Sequence, residues 1–274
     1  MTENRNKENE ALVSAGRALR LSFAQRKRLF MAHLDLTYRC ELDCIHCYLD
    51  DRTKPGPAKG TWIDVIDQLY EMGVFSLLLS GGEIFMRKDI WEILAHIKKH
   101  RFNVTVKTHG IRIDEAFARK LKEAGVHKVD VSLYSHEPHV HDRITRRPGS
   151  QRRTVRAVEN LVEVGIPVQI NNTVTNQNPD SDIGVTEIAE ERGVIHTSNA
   201  RIRASQTDGD TEVYGTGLAL HQSMRVEARN RVAVLQKKSS VRRDGVPPAV
   251  TPPPPPLADM SMCGAGVGSI YVGP

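Results

Sequence analysis

The sequence contains little cysteine, few aromatic residues and no long apolar run. Its 274 residues include 4 cysteines, 6 phenylalanines, 6 tyrosines and 2 tryptophans. So few cysteines exclude a fold held together by many disulfides, as found in small secreted proteins. No run approaches the roughly 18 apolar residues of a membrane span, and the polar N-terminus lacks the apolar core of a signal peptide. We therefore predict a cytoplasmic protein without a membrane segment.

The chain also lacks a strong charge of either sign. Lysine and arginine total 38 against 33 aspartate and glutamate residues, which gives a net charge of +5. This excess is too small to predict nucleic acid as a partner. Hydrophobic residues make up 39% of the chain and charged residues 26%. That composition provides enough apolar material for a folded core and excludes a wholly disordered chain.

Apolar runs alternate with helical patterns between residues 29 and 205. Six strands rich in apolar residues are predicted at Phe30–Leu36, Val74–Ser80, Asn103–Thr108, Lys128–Tyr134, Pro167–Val174 and Ile195–Ile202. Helical spacing predicts helices from Thr61 as N-cap to Gly73, and at Asp89–His100, Asp114–Ala124, Gln151–Val164 and Thr186–Arg192. This order predicts an α/β fold, a partial (β/α)6 TIM-like barrel of parallel strands. Strands this apolar are expected to be buried on both faces.

The regions that flank the predicted barrel lack this alternation. Residues 1–28 are charged and are predicted to form a polar leader. Residues 206–262 are predicted to be a linker with one helix near 218–235 and a stiff proline tract at 247–256. A Gly-rich stretch, 263–274, ends the sequence. We expect this C-terminal tail to be poorly structured.

Three of the four cysteines, Cys40, Cys44 and Cys47, directly follow the first predicted strand. Parallel α/β barrels carry their functional groups at these strand ends. Thiols crowded in this way indicate a metal site in a reducing compartment. Three thiolates at CxxxCxxC spacing can bind three irons of a [4Fe–4S] cluster and leave the fourth iron without a protein ligand. The alternative is a zinc site completed by His46 or His33.

Motifs at the ends of the next strands accompany the cysteines. Ser80-Gly81-Gly82-Glu83 ends the second strand, and Lys107-Thr108-His109-Gly110 ends the third. Val129-Asp130-Val131-Ser132 ends the fourth. With the cysteine spacing, these segments resemble the radical S-adenosylmethionine (SAM) superfamily. The chain departs from the family pattern at Ile84, where proline is usual, and at His109, where asparagine is usual.

The resemblance implies a role for each matched residue. The implied ligands of a [4Fe–4S] cluster are Cys40, Cys44 and Cys47. The residues implied to bind or flank SAM are His46, Gly81, Gly82, Glu83 and Ser132. The two glycines permit close approach of the backbone to a ligand, and the carboxylate can accept from the SAM ammonium group. The histidine fills a position that is usually aromatic.

The resemblance also implies an activity and partners. The activity is reductive cleavage of SAM to a 5′-deoxyadenosyl radical, which abstracts hydrogen from a substrate. An electron donor such as flavodoxin or ferredoxin is implied. Residues 201–210 resemble the connection from the barrel to the SPASM extension of peptide-modifying members, and residues 263–266 resemble the first cysteine segment of that extension. The implied substrate is therefore a peptide or a peptide-derived cofactor precursor. Two alternatives remain open: an inactive cluster-binding or regulatory protein, and a zinc-binding structural domain.

Cys263 is the one cysteine outside the cluster motif. In relatives the SPASM extension carries several cysteines that hold auxiliary clusters, so the resemblance implies that residues 263–274 are a stub of a truncated extension.

We expect Cys263→Ala to leave the iron content unchanged, because one thiolate cannot hold a [4Fe–4S] cluster that normally takes four. Iron analysis after anaerobic reconstitution checks this expectation. Loss of about half of the iron would contradict it and would indicate a second cluster.

Overall fold

A single parallel sheet is the centre of the chain. The computed structural model describes residues 15, 18–26, 28–49, 51–200, 217–218, 222–229 and 269–273. The strands are β1 (Met31–Thr37), β2 (Ser76–Gly81), β3 (Asn103–Thr108), β4 (Lys128–Ser132), β5 (Val168–Thr173), β6 (Ile195–Asn199) and β7 (Ser269–Val272). Their order is β6-β5-β4-β3-β2-β1-β7, and every neighbouring pair is parallel. The sheet is open between β6 and β7, so the predicted partial barrel is confirmed.

Helices follow the strands along the chain. They are α1 (Lys59–Glu71), α2 (Ile90–Lys99), α3 (Glu115–Glu123), α4 (Pro138–Thr145), α5 (Ser150–Glu163) and α6 (Ser181–Glu191). Ala58 is the N-cap of α1, so the prediction of Thr61 at that position was wrong; residues 59–61 already belong to the helix. The sequence did not predict α4. No helix in the described ranges is long and apolar enough to cross a membrane.

One face of the sheet packs against the helices and forms the main core. Its buried members include Leu79, Val106 and Val131 from strands and Trp62 and Leu121 from helices. Burial alternates from residue to residue along β3 and β5, as it does when only one face of a strand is fully covered. The expectation of strands buried on both faces was therefore wrong for these two strands.

The opposite face of β4 and β5 carries polar side chains. The ammonium group of Lys128 donates to Oε1 of Gln169 at 2.7 Å and pairs with Oδ1 of Asp130 at 2.9 Å. The side-chain amide of Gln169 in turn donates to Oδ1 of Asn171 at 2.9 Å. The interior of the partial barrel thus offers charged and amide groups, which suit a polar ligand better than an apolar one.

The structure adds a strand, β7, within the stretch expected to be a poorly structured tail. β7 pairs with β1 from Met31 and Ser269 onward. The hydroxyl of Tyr271 donates to Oδ2 of Asp35, a fully buried carboxylate on β1, at 2.7 Å. Cys263 and the proline tract lie outside the described residues.

Helical residues 222–229 lie within the predicted linker, in agreement with the helix expected near 218–235. Val226 is fully buried against Val174 and Ala200. The guanidinium of Arg229 donates to both carboxylate oxygens of Asp182 in α6, at 2.5 and 2.9 Å. This part of the linker is therefore attached to the barrel by an apolar contact and a bidentate ion pair.

We expect Tyr271→Phe to lower the free energy of unfolding by about 1–3 kcal/mol, because the buried Asp35 loses a hydrogen-bond donor. Chemical denaturation followed by circular dichroism measures the change. Tyr70→Phe is the control, since Tyr70 is exposed, and it should leave stability within about 0.5 kcal/mol of wild type. Equal stability of Tyr271→Phe and wild type would show that this hydrogen bond adds nothing to the stability of the fold.

Candidate active site

The loop after β1 carries the three clustered cysteines, and hydrogen bonds fix its backbone. The N–H of Cys40 donates to the carbonyl of Arg52 at 3.1 Å, and the N–H of Cys47 donates to the carbonyl of Cys44 at 3.1 Å. Residues 43 and 45 donate their N–H groups to two carbonyls at the end of α4, at 3.2 and 3.0 Å. The unpredicted helix α4 therefore supports the cysteine loop.

Burial disfavours ionisation of two of the cysteine thiols. Burial raises the pKa of Cys44 well above its ordinary value, and the neighbouring Cys47 and Cys40 raise it further. Burial also raises the pKa of Cys47, against a smaller opposing effect of the nearby Arg52 side chain. Such thiols ionise only when a cationic centre compensates the negative charge. The loop therefore favours a bound cation when its thiols are ionised.

One compact group of potential metal ligands lies at the cysteine loop. Within the described ranges, the ligand atoms here that all lie within 4.8 Å of one another belong to Cys40, Glu41 and His109. That group includes neither of the other two cysteines, nor His33 or His46.

The two glycines at the end of β2 lie against the cysteine loop. The N–H of Gly82 donates to the carbonyl of Thr37 at 2.7 Å, and the N–H of Glu83 donates to the carbonyl of Arg39 at 2.8 Å. A Cβ on Gly81, whose φ is +125°, would lie 2.1 Å from the Thr37 oxygen; one on Gly82 would lie 2.4 Å from the Arg39 oxygen. Glycine is required here so that the chain can approach itself, a reason that the sequence motif alone did not reveal.

Glu83 is fully buried and joins the ends of β2 and β3. Its Oε2 accepts from the hydroxyl of Thr108 at 2.7 Å and from the N–H of His109 at 3.2 Å. Its Oε1 accepts from the N–H of Phe85 at 3.2 Å. A carboxylate oxygen can accept two hydrogen bonds, so Oε1 retains acceptor capacity for a ligand.

His109 lies among acidic groups and a cysteine. Its Nε2 is 3.1 Å from Oε2 of Glu83 and 3.3 Å from Oε2 of Glu41. Burial alone would lower the pKa of His109, but Glu83, Cys40 and Glu41 outweigh it and raise the pKa to about 10. Although burial opposes the change, His109 and Arg112 lower the pKa of Glu41 to about 2. His109 therefore lies between two carboxylates through its Nε2, while its Nδ1 accepts from the N–H of Ile111 at 3.2 Å.

Sequence reasoning treated His109 only as a departure from a motif and did not single out Glu41. The available signal was charge: an acidic residue inside the cysteine motif and a basic one at a neighbouring strand end.

The ring of His46 packs edge-on against Tyr134, with centroids 4.6 Å apart. Its Nδ1 is buried and has no hydrogen-bond partner among the described residues. Burial lowers the pKa of His46 to about 4, so the ring is neutral. Tyr134 hydrogen-bonds Ser132 through its side chain and is close enough to Cys44 for the thiol to raise its pKa. The structure thus brings Ser132 and His46 together through Tyr134, a residue that the sequence analysis did not assign to the site.

We expect Gly82→Ala to destabilise the protein by about 1–3 kcal/mol, because the added carbon meets backbone oxygens that cannot move independently. Gly60→Ala, in α1 with no atom within 4 Å of the added carbon, should be neutral or stabilising by up to about 1 kcal/mol. Denaturant unfolding of both variants provides the comparison. Wild-type stability of Gly82→Ala would contradict the close approach of the two loops.

Comparisons with known proteins agree with this arrangement. The sequence profile of the Radical SAM superfamily matches residues 34–187. The PqqA peptide cyclase of Granulibacter bethesdensis is 28% identical over 187 residues, which are 67% of this chain and 48% of the cyclase. The mycofactocin maturase of Mycolicibacterium smegmatis is 31% identical over 256 residues, which are 88% of this chain and 63% of the maturase.

A solved structure shares the fold. Streptococcus suis SuiB, crystallised with its precursor peptide SuiA, aligns with a TM-score of 0.65 and 18% identity over 84% of this chain and 52% of SuiB. SuiB has also been crystallised with S-adenosylmethionine. The chain spans between about half and two thirds of the length of these proteins. The profile match covers more than half of the chain, from β1 into α6, and the chain therefore belongs to the radical SAM superfamily.

Proposed function

We propose that this chain is a radical SAM enzyme that uses a [4Fe–4S] cluster to cleave S-adenosylmethionine reductively and to abstract hydrogen from a peptide substrate. The observation that carries the proposal is the position of the three thiols. They lie at the end of β1, beside the Gly81-Gly82-Glu83 end of β2, and two backbone hydrogen bonds join the two segments. Membership of the radical SAM superfamily supports the same function.

Cys40, Cys44 and Cys47 are the residues that would hold the cluster. Bound together, the cluster and S-adenosylmethionine supply an electron and a 5′-deoxyadenosyl radical, chemistry that no side chain provides. Arg52 lies near Cys47 and also pairs with Asp43. Its positive charge offsets part of the negative charge that three thiolates bring into a largely buried loop.

The SAM contacts proposed for this chain come from the ends of β2 and β4 and from the cysteine loop. Oε1 of Glu83 has acceptor capacity for an ammonium group, and the buried Nδ1 of His46 has no partner among the described residues. Gly81 and Gly82 leave this edge free of side chains, and Ser132 and Tyr134 close it from the β4 side. These groups can orient a polar ligand and exclude water from it.

A peptide or peptide-derived substrate is supported by the relatives named above, a peptide cyclase and a maturase. The polar interior face at Lys128, Asp130 and Gln169 offers donors and acceptors for backbone amides. The reaction also requires one electron, for which we propose a flavodoxin or a ferredoxin as donor.

Anaerobic reconstitution with iron and sulfide tests the cluster. We expect about four irons per chain and visible absorbance that dithionite bleaches, and we expect both to be lost in Cys44→Ala. With SAM and reductant, the reconstituted protein should release 5′-deoxyadenosine. Bound zinc without an iron chromophore would favour the zinc-binding alternative, and a full cluster without 5′-deoxyadenosine would favour the inactive one.

The role of Glu83 is tested separately, by the affinity for SAM of Glu83→Gln. This change retains the shape of the side chain but removes the charge, so binding should weaken by about 1.5–3 kcal/mol. Glu163→Gln, at an exposed position in α5, is the matched control and should bind SAM as wild type does. Equal affinities in the two variants would remove Glu83 from the SAM site.

A further inference from the structure

A second group of potential metal ligands lies on helices α1 and α2, away from the cysteine loop in sequence. Nε2 of His96 is 2.6 Å from Oδ1 of Asp67, and Nε2 of His100 is 2.7 Å from the same oxygen. The three ligand atoms all lie within 4.8 Å of one another. Two imidazoles and one carboxylate from two helices therefore converge on one point.

The arrangement follows from helix geometry. His96 lies in α2 and His100, four residues later, is its C-cap, so their side chains lie on the same face, one turn from each other. Asp67 belongs to the neighbouring α1. The ring of His100 packs against Tyr70 with centroids 4.4 Å apart, which restricts its orientation. Packing thus limits the freedom of one of the three ligands before any ion binds.

The donor set matches a first-row transition metal. Imidazole nitrogen and carboxylate oxygen bind Zn²⁺ at about 2.0–2.2 Å, and tetrahedral geometry separates them by about 3.3 Å. Small rotations of the three side chains reach that separation. The imidazole side chains are 20% exposed and the carboxylate 44% exposed, so an ion can enter and keep water as a fourth ligand.

The local electrostatics favour a cation. His96 lies in the last turn of α2 and His100 is the C-cap, where the partial negative charge of the helix end attracts positive charge. His96, followed by His100, lowers the pKa of Asp67 through hydrogen bonds, so this carboxylate is ionised at neutral pH. Lys98 and Lys99 are further cationic residues in this turn. The ammonium group of Lys98 donates to the carbonyl of Glu123, at the end of α3.

A second histidine pair provides a natural comparison. His136 and His139 flank Glu137 and are more exposed, at 44% and 74%. Their Nε2 atoms approach different carboxylate oxygens of Glu137, at 3.8 and 3.4 Å. They do not share one oxygen as His96 and His100 do. Histidine and acidic residues near one another are therefore not sufficient for this convergence.

We propose that Asp67, His96 and His100 form a binding site for a divalent transition-metal ion, with zinc as the reference ion, which links α1 to α2. The site is independent of the [4Fe–4S] cluster proposed above, since it shares no residue with the cysteine loop. It belongs to the helical layer that covers the sheet, and its effect is on the stability of that layer.

The test uses the full chain after iron–sulfide reconstitution, so that the clustered cysteines are occupied. The protein is equilibrated with Zn²⁺ and desalted, and zinc and iron are measured together. Wild type should retain about one zinc per chain with its iron unchanged, and zinc should raise its melting temperature.

The double variant His96→Gln/His100→Gln and the single variant Asp67→Asn should bind zinc at least about tenfold more weakly. The control His136→Gln/His139→Gln should bind as wild type does.

Cobalt provides a second readout that separates the two sites. Co²⁺ in a site of nitrogen and oxygen ligands gives weak visible bands without the intense thiolate charge-transfer band that cysteine ligation produces.

Circular dichroism of the metal-free variants verifies that they are folded. Zinc binding that is equal in wild type and in the His96→Gln/His100→Gln variant would overturn the proposal, as would retention of no zinc by wild type with its iron intact. Because iron is measured in the same sample, loss of the cluster is distinguished from loss of this site.

Discussion

The close backbone contact between the end of β2 and the loop after β1 is the constraint on which the site depends. The N–H groups of Gly82 and Glu83 donate to the carbonyls of Thr37, at the end of β1, and of Arg39, in the cysteine loop. No side-chain carbon fits at Gly81 or Gly82. The contact fixes the cysteine loop relative to Glu83, and Glu83 in turn fixes the end of β3. Three consecutive strand ends thus form one rigid edge, which is what a reactive cofactor requires of its protein.

Charge is distributed along this edge in an ordered way. The half-buried thiols lie on one side, and His109 lies between the carboxylates of Glu41 and Glu83 on the other. This imidazole interacts both with a cysteine and with the carboxylate proposed to bind SAM, so it connects the two halves of the site electrostatically. The family pattern that the sequence resembles has asparagine at this position, so an ionisable ring stands here in place of an amide.

The parts of the fold that the sequence predicted well are those specified by local patterns. The bounds of β3 agree with the prediction, because this short segment is rich in β-branched residues, which favour strands. Helix α4 was missed because histidine, aspartate and arginine dominate its eight residues, and few apolar positions mark a face. The three cysteines could be recognised because their spacing is local. The contact of His109 with Glu41 spans 68 residues, and no pattern in the sequence reports a contact of that range.

The pairing of β7 with β1 carries an entropic cost that the other strand pairs do not. Strands β1 to β6 each pair with a neighbour that is close in sequence, whereas Tyr271 meets Asp35 across 236 residues. Closing so long a loop costs more chain entropy than any of the βα connections, although the cost grows only logarithmically with length. Contacts of high sequence separation also slow folding. The β1 edge of the sheet is therefore the edge whose completion depends most on the chain that lies between the paired strands.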